Sequence, residues 1–259
     1  MSSTQIHAFH CGGENMPRSG LGVMASDPGG IVYAPYFLYL IEHPRGSILF
    51  DTGVNPEMAR DIVAYMGPAG EGVDLRMTEE DAVIGRLALI GKDPGQITHI
   101  VESHLHYDHA GGLEFFPGLP VYVQQDELEY AFDPPVYQAD TYIEKDFGGD
   151  VDWQPVKGEF DLFGDGSVVM IPTPGHTKGH QSLLVQLDSH PVLLCADAAN
   201  TPWVMEENLL PGLVESPPDV IRTYELLRQI RDERGAELIL AHDLEFETKT
   251  KIAPGGFYE

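Results

Sequence analysis

A short segment of the chain carries a high density of side chains that bind metals. It reads Ser103-His104-Leu105-His106-Tyr107-Asp108-His109-Ala110-Gly111-Gly112, so three imidazoles and one carboxylate fall within six residues. Burying these groups unpaired would be costly, which favours bound cations. His104 and His106 are two positions apart and project to the same side of an extended chain, as two ligands of one ion should. Asp108 and His109 lie beyond them, where a turn permitted by the two glycines can direct them to a second ion.

Two ions need more ligands than this segment supplies, and the chain offers three more ionisable side chains. His176, Asp197 and His242 each follow a run of apolar residues that is typical of a buried strand. Loops at the ends of strands gather functional groups, so we expect these residues at one edge of the fold. Each of them alone has the alternative of an isolated polar residue at a strand end, but the whole set favours a dinuclear metal site.

The segments that must position these residues alternate between strands and helices. Apolar runs bounded by turn residues predict strands at 36–41, 47–50, 97–102, 121–124, 167–171, 182–186, 192–195 and 238–241. Thr78 is followed by acidic residues and then by an apolar stripe, which predicts one helix that stops at Gly91. A second helix is predicted after Pro217, and it ends near Gly235.

The order of these elements predicts an α+β fold, a sandwich of two mixed β-sheets with helices outside. A length of 259 residues suits one large domain or two small ones, and we interpret the chain as a single domain, residues 1–259. Two stretches rich in turn residues, 54–77 and 133–155, are interpreted as loops or lids inserted in this domain.

The composition excludes several classes of function. With 15 Lys+Arg against 41 Asp+Glu, the formal net charge is −26, which repels the phosphates of nucleic acids and anionic membrane surfaces. The most apolar run, 31–41, is too short to span a bilayer, and the N-terminus has no pattern of a secretory signal. Cys11 and Cys195 form no CxxC motif and are expected to be buried thiols in a reducing compartment. We therefore expect a cytoplasmic protein with no nucleic acid or membrane partner.

The spacing of the metal-binding residues resembles that of a known superfamily. The segment 104–109 with His176, Asp197 and His242 matches the HxHxDH…H…D…H pattern of the metallo-β-lactamase superfamily, and the resemblance covers almost the whole chain. Asp51-Thr52-Gly53 is similar to the early Asp-Thr-Gly turn of that superfamily. Within it, the chain most closely resembles the N-acyl-homoserine lactonases, which are dizinc quorum-quenching hydrolases. The supporting motifs are 77–81, 104–112, 174–183 and the pair His242-Asp243.

The resemblance implies an αββα sandwich with two metals at one edge, and it implies a role for each ligand. His104, His106 and His176 would hold metal one, Asp108, His109 and His242 would hold metal two, and Asp197 would bridge them. Five imidazoles and two carboxylates without a thiolate suit two zinc ions, with iron, cobalt or manganese as alternatives. Asp51 is expected to orient a metal-binding histidine, and His180 is expected to hold a ligand loop.

The chemistry implied by the resemblance is hydrolysis of a lactone. A metal-bound hydroxide would attack the carbonyl carbon while a metal polarises the carbonyl oxygen, and Asp108 would relay a proton to the leaving alkoxide unless it acts as a ligand only. The lactonases usually have a tyrosine three residues after the bridging aspartate, where this chain has Asn200, an amide that can also donate a hydrogen bond. Tyr107, where the family often has phenylalanine, is a candidate to supply a phenol instead, with simple packing as its alternative.

The leading interpretation is therefore a metal-dependent lactonase that opens N-acyl-homoserine lactones or a related small lactone. Another cyclic ester or amide is the alternative substrate, as in pyridoxolactonase-like or β-lactamase-like enzymes. A glyoxalase II-type thioesterase and a mononuclear iron sulfur dioxygenase rank lower. The sequence is compatible with a monomer or a homodimer, and it leaves the acyl chain of the substrate open.

Overall fold

The computed structural model describes residues 3–22, 29–243, 245 and 249–259. Twelve strands lie in these ranges, and they account for most of the buried core. In chain order they are β1 (Gln5–Pro17), β2 (Ile31–His43), β3 (Gly46–Phe50), β4 (Asp74–Arg76), β5 (His99–Val101), β6 (Pro120–Gln124), β7 (Asp152–Val156), β8 (Phe160–Asp161), β9 (Val168–Pro172), β10 (Gln181–Gln186), β11 (Pro191–Ala196) and β12 (Glu237–Leu240).

Nine α-helices occur in the same ranges, most of them short. They are α1 (Arg18–Leu21), α2 (Pro56–Arg60), α3 (Ile62–Met66), α4 (Val83–Ala88), α5 (Tyr107–Ala110), α6 (Gln125–Ala131), α7 (Glu144–Phe147), α8 (Pro202–Glu206) and α9 (Pro217–Arg234). The longest, α9, has 18 residues with proline in its first turn, and Gly235 ends it in the left-handed conformation (φ 66°), as predicted. None of the helices in the described ranges combines the length and the apolarity that crossing a membrane requires.

The strands form two mixed sheets. The first has seven strands in the order β4-β1-β2-β3-β5-β6-β7, in which β3, β5, β6 and β7 are parallel and the remaining pairs are antiparallel. The second has five strands in the order β12-β11-β10-β9-β8, in which β11 and β12 are parallel and the remaining pairs are antiparallel.

Alternating side chains bury both faces of the central strands, since successive residues of a strand point to opposite sides. On β2, Leu38 belongs to a buried cluster that includes Leu87 of α4, whereas Tyr39 belongs to the cluster between the two sheets. On β11, Leu194 lies in the same inter-sheet cluster, and Leu193 packs in a third cluster with residues of α9. Helices therefore cover both outer faces, which confirms the predicted αββα sandwich of two mixed sheets.

The local predictions from the sequence have mixed outcomes. Every predicted strand is present, although β2 is longer and β5 is shorter than its apolar run. The single helix predicted after Thr78 is wrong, because Thr78 and Asp81 cap a short 3₁₀ turn and Ala82 is extended (ψ 162°) before α4 begins. The break lets Val83 and Leu87 enter the core while the capping residues remain near the surface. β1 is not predicted, since its polar residues obscure the alternation.

The two inserted segments contain more regular structure than loops would have. Segment 54–77 includes α2, α3 and β4, and segment 133–155 includes α7 and the start of β7. The two segments contact each other directly. The hydroxyl of Tyr65 donates a hydrogen bond to Asp146, and Lys145 Nζ lies 3.0 Å from the centre of the Tyr65 ring. Their action as lids, and the assignment of one domain to the whole chain, stay predictions.

Asp146 makes the stability of this contact depend on pH. Its side chain is 6% exposed, and burial raises the pKa of Asp146 from 3.8 to about 7. Between these two values the folded protein binds a proton that the unfolded chain does not. The stabilisation that comes from the protonated carboxyl is therefore complete below the pKa of Asp146 in the unfolded chain. It is lost as the pH rises through the pKa of Asp146 in the folded protein.

We expect Asp146→Asn, which cannot ionise, to become more stable relative to the natural protein as the pH rises. The difference in free energy of unfolding should grow by about 2 kcal/mol between about pH 5.5 and about pH 8. Urea unfolding at both pH values measures it, and Asp140→Asn, an exposed site in the same segment, is the control. A difference that is constant with pH, or one shared by the control, would contradict the assignment.

Candidate metal centre

Strands of both sheets end at the edge where the predicted ligands lie. β9, β11 and β12 run in the same direction, so their carboxyl ends meet at one edge of the second sheet. His176, Asp197 and His242 follow these three strands. β5 of the first sheet ends beside them, where the backbone N–H of Gln181 donates a 2.9 Å hydrogen bond to the carbonyl of Ser103. The segment that begins at residue 104 therefore meets the three loops of the second sheet.

The three histidines assigned to metal one converge. One ligand atom from each of His104, His106 and His176 lies within 4.8 Å of the others, and all three residues are buried. His106 Nδ1 and His176 Nε2 are 3.1 Å apart. Two nitrogens bound to one tetrahedral zinc at about 2.0–2.1 Å would be roughly 3.3 Å apart, so this pair has the spacing of two ligands of one ion.

Asp197 lies between these histidines and the residues assigned to metal two. One of its oxygens is 3.2 Å from His109 Nε2. Its other oxygen is 3.4 Å from His176 Nε2 and 3.5 Å from His242 Nε2. A carboxylate oxygen of Asp108 lies 3.5 Å from the same nitrogen of His109. The structure thus brings all seven predicted ligands into one cluster, with Asp197 at its centre.

The protonation of this cluster fits bound cations. Burial, assisted by the neighbouring imidazoles, lowers the pKa of His104 and His106 well below the usual range, so both rings are neutral and offer lone pairs. Nε2 of His104 is buried and has no hydrogen-bond partner within the described part of the chain. Burial alone would raise the pKa of Asp197, but His242 and His109 hold it well below its usual value. The ionised Asp197 and the neutral His104 and His106 together offer the oxygen and nitrogen donors of a divalent metal site.

The two remaining histidines lie in a strongly negative field. Burial disfavours a proton on His109, yet Asp108, Asp197 and Asp51 outweigh it and raise the pKa of His109 well above its usual value. Burial is likewise outweighed by Asp197 at His242, whose pKa is raised to about 9. Each ring would hold a proton when no metal is bound. A divalent cation that replaces this proton balances the negative charge of the same carboxylates.

Asp51, which the sequence predicts to orient a metal-binding histidine, contacts His109, and the orienting role stays a prediction. Its carboxylate is 2.8 Å from His109 Nδ1 and accepts hydrogen bonds from the backbone N–H (2.6 Å) and the hydroxyl (2.9 Å) of Ser103. Asp51 has φ 62°, a left-handed conformation that asparagine and aspartate tolerate better than most residues. Gly111 packs against this turn so closely that a Cβ would lie 2.3 Å from the backbone nitrogen of Asn55. The Asp-Thr-Gly turn and the glycines of the metal motif therefore fit together.

The residues predicted to contact substrate have partners within the protein. Asn200 accepts a 2.9 Å hydrogen bond from the backbone N–H of His242, and its side-chain amide donates to the carbonyl of Leu21 at 3.2 Å. Tyr107 is buried with its hydroxyl 3.3 Å from that of Tyr36. Asn200 therefore ties the loop after β11 to the N-terminal segment, and the roles of both residues towards substrate stay predictions.

Several side chains that support the cluster are not predicted from the sequence. The hydroxyl of Ser103 is 3.0 Å from His104 Nδ1, and the side-chain amide of Gln138 donates to the carbonyl of His176 at 2.9 Å. Glu127 accepts hydrogen bonds beside two ligand loops. Position next to a ligand is a usable signal for Ser103, but no local pattern marks Gln138 or Glu127.

His180, expected to hold a ligand loop, is fully buried behind His104. Its Nδ1 lies 2.9 Å from the hydroxyl of Thr173, and its ring centre lies 5.1 Å from that of His104. Burial lowers the pKa of His180 to about 3, so the ring is neutral. It packs against His104 and joins the two ends of the loop between β9 and β10.

Both the sequence and the fold are similar to those of known proteins. A family model described as the metallo-beta-lactamase superfamily matches residues 35–242. The N-acyl homoserine lactonase AttM of Azorhizobium caulinodans is 36% identical over 227 residues, which is 85% of this chain and 86% of that protein. The N-acyl homoserine lactonase AiiA of Bacillus thuringiensis subsp. kurstaki is 30% identical over 232 residues, 89% of this chain and 90% of that protein.

A solved structure is similar over almost the whole fold. It is an N-acyl homoserine lactone hydrolase with the product N-hexanoyl-L-homoserine bound at its catalytic metal centre. It has a TM-score of 0.87 and 26% sequence identity with this chain, and the similarity covers 98% of this chain and 99% of that one.

The Asp51 contacts can be tested with Asp51→Asn, since asparagine keeps the left-handed backbone but presents an amide N–H₂ where a carboxylate oxygen accepts. We expect the affinity of the protein for one divalent cation to fall about ten- to hundredfold, the range typical for the loss of such an orienting partner. Calorimetric titration of the metal-free protein with zinc measures it, and Asp126→Asn at an exposed position is the control. Equal affinities in the three proteins would remove the orienting role.

Proposed function

This chain belongs to the metallo-beta-lactamase superfamily and, within it, to the N-acyl homoserine lactonases, and we propose that it is a dinuclear zinc hydrolase that opens the lactone ring of N-acyl homoserine lactones or of a related small lactone. The proposal rests on one observation above all, which is the position of Asp197. Its carboxylate lies between the cluster of His104, His106 and His176 on one side and His109 on the other. The lactonase names of relatives at 30% identity or more, and the lactone-hydrolysis product in the solved neighbour, support the choice of substrate.

The seven clustered side chains divide naturally between two ions. His104, His106 and His176 would hold the first ion, Asp108, His109 and His242 would hold the second, and Asp197 would contact both. The donor set has nitrogen and carboxylate oxygen but no thiolate, which suits zinc and also permits iron, cobalt or manganese. Zinc is our choice among these ions, because imidazole nitrogens and carboxylate oxygens are its usual ligands in catalytic sites.

When bound, the two cations supply a Lewis acid for the lactone carbonyl and lower the pKa of water so that it attacks at neutral pH. The attacking water gives up one proton as its oxygen bonds to the carbonyl carbon, and the protein must pass that proton to the ring oxygen, which leaves as an alcohol when its bond to the same carbon breaks. Asp108 is the residue we assign to this transfer, because its carboxylate lies at the edge of the cluster, 3.5 Å from His109 Nε2, and is less enclosed than Asp197. Opening the ring creates a carboxylate product, which the acidic protein surface repels. The substrate is neutral, so the same surface does not repel it.

Tyr107 and Asn200 are the proposed contacts to the substrate. Tyr107 lies between two ligands in the sequence, and its hydroxyl is paired with Tyr36, so the phenol is held in one orientation beside the site. Asn200 follows the central carboxylate by three residues and carries the backbone carbonyl that holds His242. Its amide is shared with Leu21, so we assign it the weaker contact of the two.

We also propose that the enzyme works in a reducing compartment, the cytoplasm, as a monomer or homodimer that quenches acyl-homoserine lactone signals. Support for the compartment comes from Cys11 and Cys195, both of which are free and buried.

The proposed function is tested by a panel of substrates with the zinc-loaded protein. We expect hydrolysis of N-acyl homoserine lactones, with slower turnover of simple γ- and δ-lactones, and two zinc ions per chain by elemental analysis. A cephalosporin and a glutathione thioester complete the panel, because they represent the alternative hydrolases of the same fold. Turnover of those two compounds alone would overturn the lactonase, and a single ion per chain would favour the mononuclear dioxygenase.

Tyr107→Phe tests the phenol contact. Losing one hydrogen bond to the substrate is expected to lower kcat/KM for the preferred lactone by about tenfold, since such a bond contributes about 1.4 kcal/mol. Zinc content should not change, which separates this effect from damage to the site. Tyr137→Phe is the control, because Tyr137 is 57% exposed. An unchanged kcat/KM would leave Tyr107 with a packing role only.

A further inference from the structure

Glu127 is a buried carboxylate that none of the proposed chemical steps uses. It belongs to the first turn of α6 and its exposed fraction is 0%. A buried carboxylate without partners is strongly unfavourable, so its contacts indicate why the fold keeps it there. The four hydrogen bonds that its carboxylate accepts in the described part of the chain come from residues that neighbour the proposed ligands of metal one.

One oxygen of Glu127 faces the segment that carries His104 and His106. It accepts a hydrogen bond from the backbone N–H of Leu105 at 3.1 Å and another from the hydroxyl of Tyr142 at 2.9 Å. Leu105 is the residue between the two ligands, so its peptide plane is held by the carboxylate. The Tyr142 ring lies 4.6 Å from the His106 ring, centre to centre, which fixes that imidazole from the other side.

The second oxygen of Glu127 faces the loop that carries His176. It accepts hydrogen bonds from the hydroxyl of Thr177 at 2.6 Å and from the backbone N–H of Gly179 at 3.1 Å. The loop approaches α6 very closely, since a Cβ on Gly179 would lie 2.0 Å from the backbone nitrogen of Glu127. Glycine at 179 is therefore what permits the contact.

We propose that Glu127 is the positioning residue of metal one: a single carboxylate that sets the distance between the His104–His106 segment and the His176 loop. His106 and His176 are 70 residues apart along the chain. The segment with His106 follows β5 of the first sheet, and the loop with His176 follows β9 of the second. A carboxylate with four donors on two oxygens has a fixed orientation, so it joins both segments as a rigid brace. This inference rests on the proposed dinuclear site but not on the identity of the substrate.

Glu127→Gln is the direct test, because glutamine has the same shape but one oxygen becomes an N–H₂ group that opposes two donors. We expect the affinity for one of the two zinc ions to fall ten- to hundredfold and the affinity for the other to change less than about threefold. Calorimetric titration of the metal-free protein measures both, and the visible absorption of the cobalt-substituted protein reports the geometry of the affected site. Glu129→Gln, exposed on the same helix, should behave as the natural protein.

A matched pair at Thr177 keeps the inference testable if Glu127→Gln does not fold. Thr177→Val preserves the shape but removes one donor, and we expect a threefold or larger loss of affinity for the same ion. Thr177→Ser keeps the hydroxyl and should restore affinity to within about twofold. Equal losses in both variants, or unchanged binding of both ions in Glu127→Gln, would overturn the brace. A natural protein that binds one ion or opens no lactone would instead overturn the proposed function, and the two failures are therefore distinguishable.

Discussion

Five imidazoles and the carboxylate of Asp197 lie buried at one edge of this fold, beside the half-buried Asp108, and so many buried polar groups need a proton or a cation to bind their lone pairs. The physical reason is desolvation, which keeps the histidines of metal one neutral while their neighbours hold Asp197 ionised. The neutral imidazoles cannot satisfy one another's lone pairs, and the charge of Asp197 is balanced by protons on His109 and His242 or by a cation in their place. The loops around them must therefore be held in place by the rest of the protein, and much of the surrounding structure has this effect.

The backbone around the cluster shows how firmly these loops are held. Asp51 (φ 62°) and Ala196 (φ 45°) are two of the few non-glycine residues with positive φ in the described ranges, and they stand beside His109 and Asp197. Such conformations cost about 1–3 kcal/mol each and persist only when neighbouring contacts determine them. At Asp51 the contacts are the two hydrogen bonds from Ser103. Ala196 lies at a register shift between β11 and β12. The shift interrupts the regular pairing just before Asp197.

The parts of this arrangement that the sequence predicts are those with a local signature. Strands buried on both faces have continuous apolar runs, so β2 and β11 are recognisable, and ligands at strand ends follow from them. Glu127 has no such signature, because one acidic residue in a polar helix resembles its exposed neighbours until the fold brings donors to it. Asn200 shows the opposite difficulty. Its position predicts a donor for the substrate, which stays a prediction, and the structure adds a hydrogen bond from its amide to Leu21, a partner 179 residues away that no local pattern could indicate.

The segments 54–77 and 133–155 are connected to the metal ligands through an unbroken series of contacts. Gln138 holds the carbonyl of His176, and Tyr142 packs on His106 while it donates to Glu127. Tyr65 then joins segment 54–77 to the same unit through Asp146. Because closely packed groups move together, a displacement of either segment changes the positions of the histidines as well. Substitutions in these two segments are therefore expected to reach the histidines of the candidate metal site as well as the surface around it.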